Sequence, residues 1–300
     1  MDAQRLRILR EFADRGTVGE TAEVLHLTPS AVSQQLKVLA REAGVELLAK
    51  RGRRIELTDA GRALVLRADE VLAAVARANE EMDVYRAGGH PRVRIASFPS
   101  GAGLLIPGIA AALDDSIDID AADEDVPYAD ASALLADYDV VVTHRDERSP
   151  SLRSPRVRTQ ILMREPIDLV VPADHPLAGR KSVRLDDLGD QTWVSVPEGF
   201  PIDDVLVSMS VATGMRPLVR WRFKDFQVIE AMVAGGRGVA LMPRFVARSP
   251  QVARLVIHGV RAARIYEVLT RPGADGRRSV SEVLQGLHTE AARVAGDQII

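Results

Sequence analysis

Ser30, Ser33, Gln34, Lys37 and Arg41 fall at helical spacing, with Ser30, Gln34, Lys37 and Arg41 on one side and Ser33 beside them. Short hydroxyl and amide groups lead, and cations follow. A helix that enters a DNA groove needs that order: its first turn approaches base edges, while longer cations reach flanking phosphates. Further on, Lys50-Arg51-Gly52-Arg53-Arg54 sets four cations around a glycine, flanked by Leu47-Leu48 and by Ile55 and Leu57. This reads as a small hairpin that lays Arg51, Arg53 and Arg54 against DNA backbone or minor groove. Catalytic chemistry has little to work with. There is no G-x-S-x-G, H-E-x-x-H or P-loop. The six histidines (26, 90, 144, 175, 258, 288) have no metal-ligand spacing, and the absence of cysteine removes thiolate ligands, thiol nucleophiles and disulfides. Asp114-Asp115 and Asp123-Glu124-Asp125 read as solvated helix ends and loops. Gly101-Ala102-Gly103-Leu104-Leu105-Ile106 lacks the third glycine of a dinucleotide fingerprint and runs into Pro107. It reads as a structural loop or a helix N-terminus open to a small anion. The expectation is a non-enzyme with no cofactor and no metal.

The elements that must position the first group are short helices. Leu6, Leu9 and Phe12 make one apolar stripe from about Ala3 to Asp14, ended by Gly16. Thr17-Val18-Gly19-Glu20 is a capping-box pattern that starts a second helix running through Leu25. Thr28-Pro29 then supplies an N-cap and a proline at the first helical position. The third helix spans about Pro29 to Ala43, with Val32, Leu36 and Leu39 turned inward. Two helices joined by a tight turn and followed by a basic hairpin form a winged helix-turn-helix over residues 1–58.

Thr58 caps a long helix expected over 58–87. Leu64, Ala68, Val71, Val75, Ala78, Met82 and Tyr85 recur along it at alternating spacings of four and three. That is a heptad seam, which a lone helix can bury only against a partner. The expectation is a dimerisation helix over 59–88. Proline usage then changes: Pro29 is the only proline before residue 91, and fifteen follow from Pro91 on. Ala87-Gly88-Gly89-His90-Pro91 reads as the boundary.

Beyond it, strands and helices alternate, which implies a parallel sheet with ligands at strand C-terminal ends. Arg92 to Ser97, Ile117 to Asp120 and Tyr138 to Thr143 read as strands, with helices through Leu113 and over Tyr128 to Leu135. A second unit starts near Gln160, with strands at Pro166–Pro172 and Trp193–Val196, a helix at Phe226–Val233, and a glycine turn into Val239–Pro243. Ser97, Ser100 and Thr143 fall at strand ends.

The chain has 39 Lys and Arg against 42 Asp and Glu, a net charge of −3, with 46% hydrophobic residues. This excludes a disordered or chain-wide polybasic protein. Even residues 1–60, with ten cations and nine anions, are near neutral. The basic surface is a patch of Lys37, Arg41 and 50–54, small enough that tight DNA binding calls for two copies. No secretory signal or membrane-length apolar run is visible, so a soluble cytoplasmic protein is expected.

Residues 5–70 resemble the winged helix-turn-helix of LysR-type transcriptional regulators. The stretch Leu25-His26-Leu27-Thr28-Pro29-Ser30-Ala31-Val32-Ser33-Gln34-Gln35-Leu36 carries the likeness, with Leu47, Arg51 and Leu57-Thr58-Asp59-Ala60-Gly61 in register. Departures are confined to Thr21-Ala22 for a usual Ala-Ala, Leu39-Ala40 for Leu-Glu, and Leu47-Leu48 for Leu-Phe. His175-Pro176-Leu177-Ala178 and Gly238-Val239-Ala240-Leu241-Met242-Pro243 resemble the same family's effector domain. The resemblance implies a fold of class α + α/β: winged domain, dimerising linker helix, and a two-lobed α/β domain similar to type 2 periplasmic binding proteins. The lobes would be about 91–160 plus 266–300, and 161–265. It implies that Ser30, Ser33 and Gln34 face the major groove and that Arg53 contacts minor groove or backbone. It places Ser97, Ser100, Thr143, Ser195 and Phe226 in an inter-lobe cleft, for a small anion or carboxylate. Phe98 stands where relatives often have a polar group, which points to a less polar ligand or none. The implied partners are double-stranded DNA at an imperfect palindrome, a small-molecule effector and RNA polymerase, with a homodimer or tetramer as the working unit. The competing reading is a cytoplasmic solute-binding or enzymatic α/β protein with a helical dimerisation arm.

Overall fold

The structure is a computed structural model that describes residues 1–83, 85–86, 90–113, 117–188, 191–214 and 216–296. Ala87, Gly88 and Gly89 of the expected boundary, and Asp114-Asp115, lie outside the described residues.

The N-terminal unit follows its capping signals. Helix α1 (Ala3–Arg15) starts at Asp2, whose side chain accepts from the Gln4 amide, and ends at Gly16 with φ 81°. Helix α2 (Val18–Val24) starts at Thr17, which accepts from the Glu20 amide. The Thr17 hydroxyl in turn donates to the Glu20 carboxylate at 2.8 Å, a side-chain bond in place of the backbone one expected of a capping box. The turn that follows holds His26 at φ 53°, a left-handed conformation costly for a non-glycine residue. A Leu27 N–H to Ala22 carbonyl bond of 2.8 Å secures it. Helix α3 (Pro29–Ala43) begins at Thr28 with proline in its first turn and buries Val32, Leu36 and Leu39.

Strands β1 (Leu48–Arg51) and β2 (Arg54–Leu57) pair antiparallel, Arg51 opposite Arg54. The connection is two residues, with Gly52 at φ 61°, as a tight hairpin with glycine first in the turn requires. Thr58 joins this wing to α4 (Asp59–Asp83): its hydroxyl donates to the Glu46 carbonyl at 2.7 Å and accepts from the Gly61 amide at 3.0 Å. Gly61 is needed there, because a Cβ would sit 2.2 Å from the Leu47 carbonyl oxygen.

The C-terminal unit is built on one mixed sheet. Its elements are β3 (Arg92–Ser97), α5 (Pro99–Ala112), β4 (Asp118–Asp123), a 3-10 segment Tyr128–Ala136, β5 (Val140–Asp146), β6 (Arg158–Pro172) and β7 (Ser182–Arg184). Then come β8 (Thr192–Ser195), α6 (Pro201–Thr213), β9 (Leu218–Arg222), α7 (Phe226–Ala234), β10 (Ala240–Pro243), β11 (Val252–His258), β12 (Ala263–Thr270) and α8 (Arg278–Ala295). Strand order is β4-β3-β5-β12-β6-β11-β7, with β10 also on β6, and β8-β9 as a separate parallel pair.

An all-parallel sheet was the expectation, and it needs correction. Parallel pairing holds for β3 with β4 and β5, but β12 runs antiparallel to both β5 and β6. The cause is the long β6: residues 158–166 pair with β12, and 167–172 pair with β10 and β11. One strand thus serves two cores. Val93, Ile95, Leu105 and Val142 pack with Tyr266 and the α8 residues Val280, Val283 and Leu287 on one side. Leu169, Val171, Trp193, Val205, Ile229 and Met242 form the other. The segment read as a helix over Tyr128–Leu135 is wound as a 3-10 segment. Helix α5 begins at Pro99, earlier than read, and absorbs Pro107.

Candidate functional site

Two surfaces carry the groups singled out by the sequence. On α3, Thr28, Pro29, Ser30, Gln34, Lys37 and Arg41 are exposed and Ser33 is half-buried. The burial of Val32, Leu36 and Leu39 behind them fixes which face is free. Lys50, Arg51, Arg53 and Arg54 are exposed on the wing. Arg51 lies 3.6 Å from Glu56. Lys37, Arg41, Lys50, Arg53 and Arg54 have no hydrogen-bond or ion-pair partner among the described residues. A cluster of unneutralised cations beside a helix face of hydroxyls and amides is suited to a phosphate backbone and base edges.

The expected dimer seam divides. Ala68 is fully buried and Leu64 partly buried within the winged domain's own core, because α4 packs there against α1. Ala68 is thereby corrected from a partner contact to an intramolecular one, while Leu64 keeps part of its surface outside that core. Val71, Val75 and Met82 are 40–48% exposed, Tyr85 is 83% exposed, and Ala78 is exposed. They leave an apolar stripe on the outer face.

The second surface is a cavity of about 640 Å³ between the two cores. Three helix starts border it: Pro99 and Ser100 of α5, Pro201 and Ile202 of α6, and Phe226 and Gln227 of α7. Helices α5 and α6 have no side-chain cap, whereas Asp225 caps α7 by accepting from the Gln227 amide at 2.8 Å. Phe98, Phe200 and Phe245 add aromatic walls, and His144 and Arg264 are also in the lining. Gly101 is required where Phe98 folds back, since a Cβ would meet that ring at 2.5 Å.

Of the residues expected in the cleft, Ser100 and Phe226 line the cavity. Ser97, Thr143 and Ser195 do not: they are buried, at 2%, 5% and 4% exposure, behind it. Ser97 and Ser195 end β3 and β8 as read, whereas β5 runs on to Asp146 and leaves Thr143 in mid-strand, and the two serine hydroxyls serve the protein itself. Ser97 donates to the Phe98 carbonyl at 3.2 Å and Ser195 to Asp203 at 3.3 Å. Sequence reasoning missed His144 and Arg264. In a chain whose basic residues are nearly all arginine, a single arginine on a strand carries no spacing signal.

The cavity floor is ordered by charge. Arg264 on β12 and Glu165 on β6 are opposite one another in the ladder. Arg264 Nε donates to Glu165 at 2.7 Å and its Nη2 to the Tyr266 hydroxyl at 2.6 Å. Burial and the Arg264 charge hold the His144 pKa down at about 3, so its ring is neutral at physiological pH. The Nδ1 of that ring is shielded from solvent with no hydrogen-bond partner.

A third cluster joins the two units. Asp14 of α1 and Asp69 of α4 are both nearly buried, with side chains 8% and 2% exposed. Arg156 reaches both at 2.8 Å, and Arg271 pairs with Asp14 and lies 3.5 Å from Asp69. Farther along α4, Glu80 accepts from the Ser279 amide and hydroxyl and pairs with Arg277 at 2.9 Å. Burial pushes the Glu80 carboxyl up, but the Ser279 and Arg277 contacts outweigh it and leave its pKa lowered.

Known proteins share this arrangement. Residues 3–62 match the bacterial regulatory helix-turn-helix protein, lysR family, and residues 86–292 match the LysR substrate binding domain. The transcriptional dual regulator GltC of Bacillus subtilis is 30% identical over 251 residues, covering 81% of each chain. ArgP from Mycobacterium tuberculosis has the same fold, with a TM-score of 0.67 at 20% identity over 97% of this chain and 98% of that one. Full-length CbnR complexed with its target DNA gives a TM-score of 0.53 at 20% identity, covering 97% of this chain and 100% of that one. A winged module with an open basic face, joined to a two-core α/β unit with a cavity between the cores, is therefore placed by descent as well as by shape: the chain belongs to the LysR family of transcriptional regulators and has an effector-binding domain.

Proposed function

We propose that this regulator reads an imperfect palindrome as a dimer. Each copy sets Ser30, Ser33 and Gln34 of α3 into the major groove, with Thr28 and Pro29 orienting its first turn. Lys37, Arg51, Arg53 and Arg54 engage the backbone and the adjacent minor groove. The observation that carries this reading is the unpaired state of Lys37, Lys50, Arg53 and Arg54 in a chain that neutralises most of its other arginines. The stripe Val71, Val75, Ala78, Met82 and Tyr85 joins the two copies, and two dimers form a tetramer. A small-molecule effector occupies the cavity floored by Arg264 and changes the geometry in which the winged domains meet DNA and RNA polymerase. The protein works in the cytoplasm, where its target is.

The experiment is genome-wide selection of DNA fragments with purified full-length protein, followed by footprinting of the enriched sites. The expected result is a two-fold symmetric footprint whose recovery falls with salt. Absence of any sequence-dependent enrichment overturns the reading.

A further inference from the structure

We propose that the effector is a small organic acid with an apolar, ring-sized body, and that Arg264 is the residue that binds its carboxylate. This rests on the reading of the cavity as the effector site. Arg264 is 2% exposed, yet it is part of the cavity lining. Two of its three guanidinium nitrogens are taken: Nε by Glu165 and Nη2 by Tyr266. Nη1 has no hydrogen bond among the described residues. Glu165 cannot swing to satisfy it. One of its oxygens accepts from the Phe245 amide at 2.7 Å, and the other accepts from Arg264 Nε and from the Tyr266 hydroxyl at 2.8 Å. A buried guanidinium edge with an unmet donor suits a carboxylate, because charge-assisted bonds strengthen where water is excluded.

The surroundings set the rest of the ligand. The guanidinium carbon lies 5.2 Å from the Phe98 ring centre, 4.9 Å from Tyr266 and 5.9 Å from Phe226. Leu104, Val196, Ile202 and Val246 continue the apolar wall. A ligand that satisfied only the charge would leave most of this wall wet, so the body must be apolar. The volume, about 640 Å³, lies in the range of small-molecule sites. His144 stays neutral beside Arg264 and so does not compete for the carboxylate as a second cation. It offers an imidazole nitrogen to a further polar atom. Other charged groups in the lining are opposed in sign: Lys224 and Arg248 against Asp125 and Asp225. Asp225 is committed to capping α7, and Arg248 Nε donates to the Phe245 carbonyl at 3.1 Å. Lys224, over the Phe200 ring, and Arg248 are both exposed to water, so the buried Arg264 edge is the position where one acid group is recognised.

The test uses the full-length protein and thermal-shift and calorimetric titrations with benzoate, phenylacetate and hexanoate. Their amides serve as neutral counterparts and acetate as an acid without a body. At least one of the three acids is expected to raise the melting temperature in a saturable way, with its amide and acetate each bound about tenfold more weakly or worse. Removing Arg264 alone would strand Glu165, so the variant is the double replacement R264Q/E165Q, checked for folding by circular dichroism. It should weaken acid binding by about tenfold or more while the amide is unaffected. G103W, whose added side chain starts in open space at the cavity edge, should block both classes. Equal binding of acid and amide, or no response to any of the three acids, overturns the proposal. Binding that survives R264Q/E165Q but not G103W overturns the Arg264 anchor and leaves the cavity as the effector site. Binding that survives both overturns the cavity reading itself.

Discussion

The cations of the wing and the cations of the interdomain cluster are the same residue type in opposite circumstances. Arg53 and Arg54 stand exposed without a partner among the described residues, while Arg156 and Arg271 are mostly buried and shared between Asp14 and Asp69. Burial pulls Arg271 below its ordinary pKa. Burial also pulls on Arg156, but bonds to Asp69 and the two aspartate charges outweigh it and leave that pKa raised. Both therefore stay charged, and both depend on their carboxylates. The lesson concerns where charge is useful. A guanidinium that holds two domains together must be neutralised within the chain. One that grips an external polyanion must be left open, at little cost to the fold because water solvates it.

The largest effect that could break this contrast is on the closed side. Asp69→Ala leaves Arg156 and Arg271 buried with one carboxylate between them and should cost about 3 kcal/mol, read as a lowered melting temperature. A shift under about 0.5 kcal/mol would show the cluster to be no more than a solvated surface pair.

His144 extends the closed side to a base. Its pKa is lowered from 6.5 to about 3, by burial first and by Arg264 second. The folded state therefore takes up this proton less readily than the unfolded chain. Its contribution to stability is fully present above pH 6.5 and is lost as pH falls toward 3, at about 1.4 kcal/mol per pH unit. His144→Gln should flatten that limb of the stability–pH curve, as followed by denaturant unfolding. An unchanged limb would refute the assignment.

The open side predicts the reverse pattern. Gln34→Ala should leave stability within about 0.5 kcal/mol and reduce discrimination between the selected operator and a mutated one by about 1–3 kcal/mol. Competition binding with both duplexes checks it. The smallest effect concerns the seam. Val75→Ala should leave the monomer fold intact, because Val75 is 40% exposed, and should weaken self-association measured by analytical ultracentrifugation by roughly 1 kcal/mol per copy.

What could be read from the sequence follows the same division. The exposed polar face of α3 was legible because residues 28–41 make one capped helix, with its apolar stripe in sequence order, and the basic hairpin because its cations are contiguous. The heptad pattern showed an apolar stripe but not that its first turns, Ala68 wholly and Leu64 in part, are claimed by the core of the same chain. Hydroxyls at strand ends suggested the cleft, and Ser100 was placed by that logic. Ser97 and Ser195 share that logic but bond within the protein, a difference of side-chain direction that strand periodicity alone did not resolve, and Thr143 is buried in mid-strand because β5 runs three residues farther than read. The quartet of Asp14, Asp69, Arg156 and Arg271, and the pair Glu165 and Arg264, join residues far apart in the chain. The antiparallel β12 brings Arg264 to Glu165, and no local signal encodes it.

The unpaired cations of the wing are proposed to hold DNA in a sequence-dependent complex. The most direct measurement is fluorescence-anisotropy titration of full-length wild type and R53A/R54A on a selected palindromic duplex across a range of salt concentrations. The expected result is unchanged stability, weaker binding of the variant on specific and random duplexes alike, and a log–log salt slope shallower by about one for each phosphate no longer neutralised. Identical affinity and salt slope for the two proteins, or no preference of the wild type for the selected duplex, would contradict it.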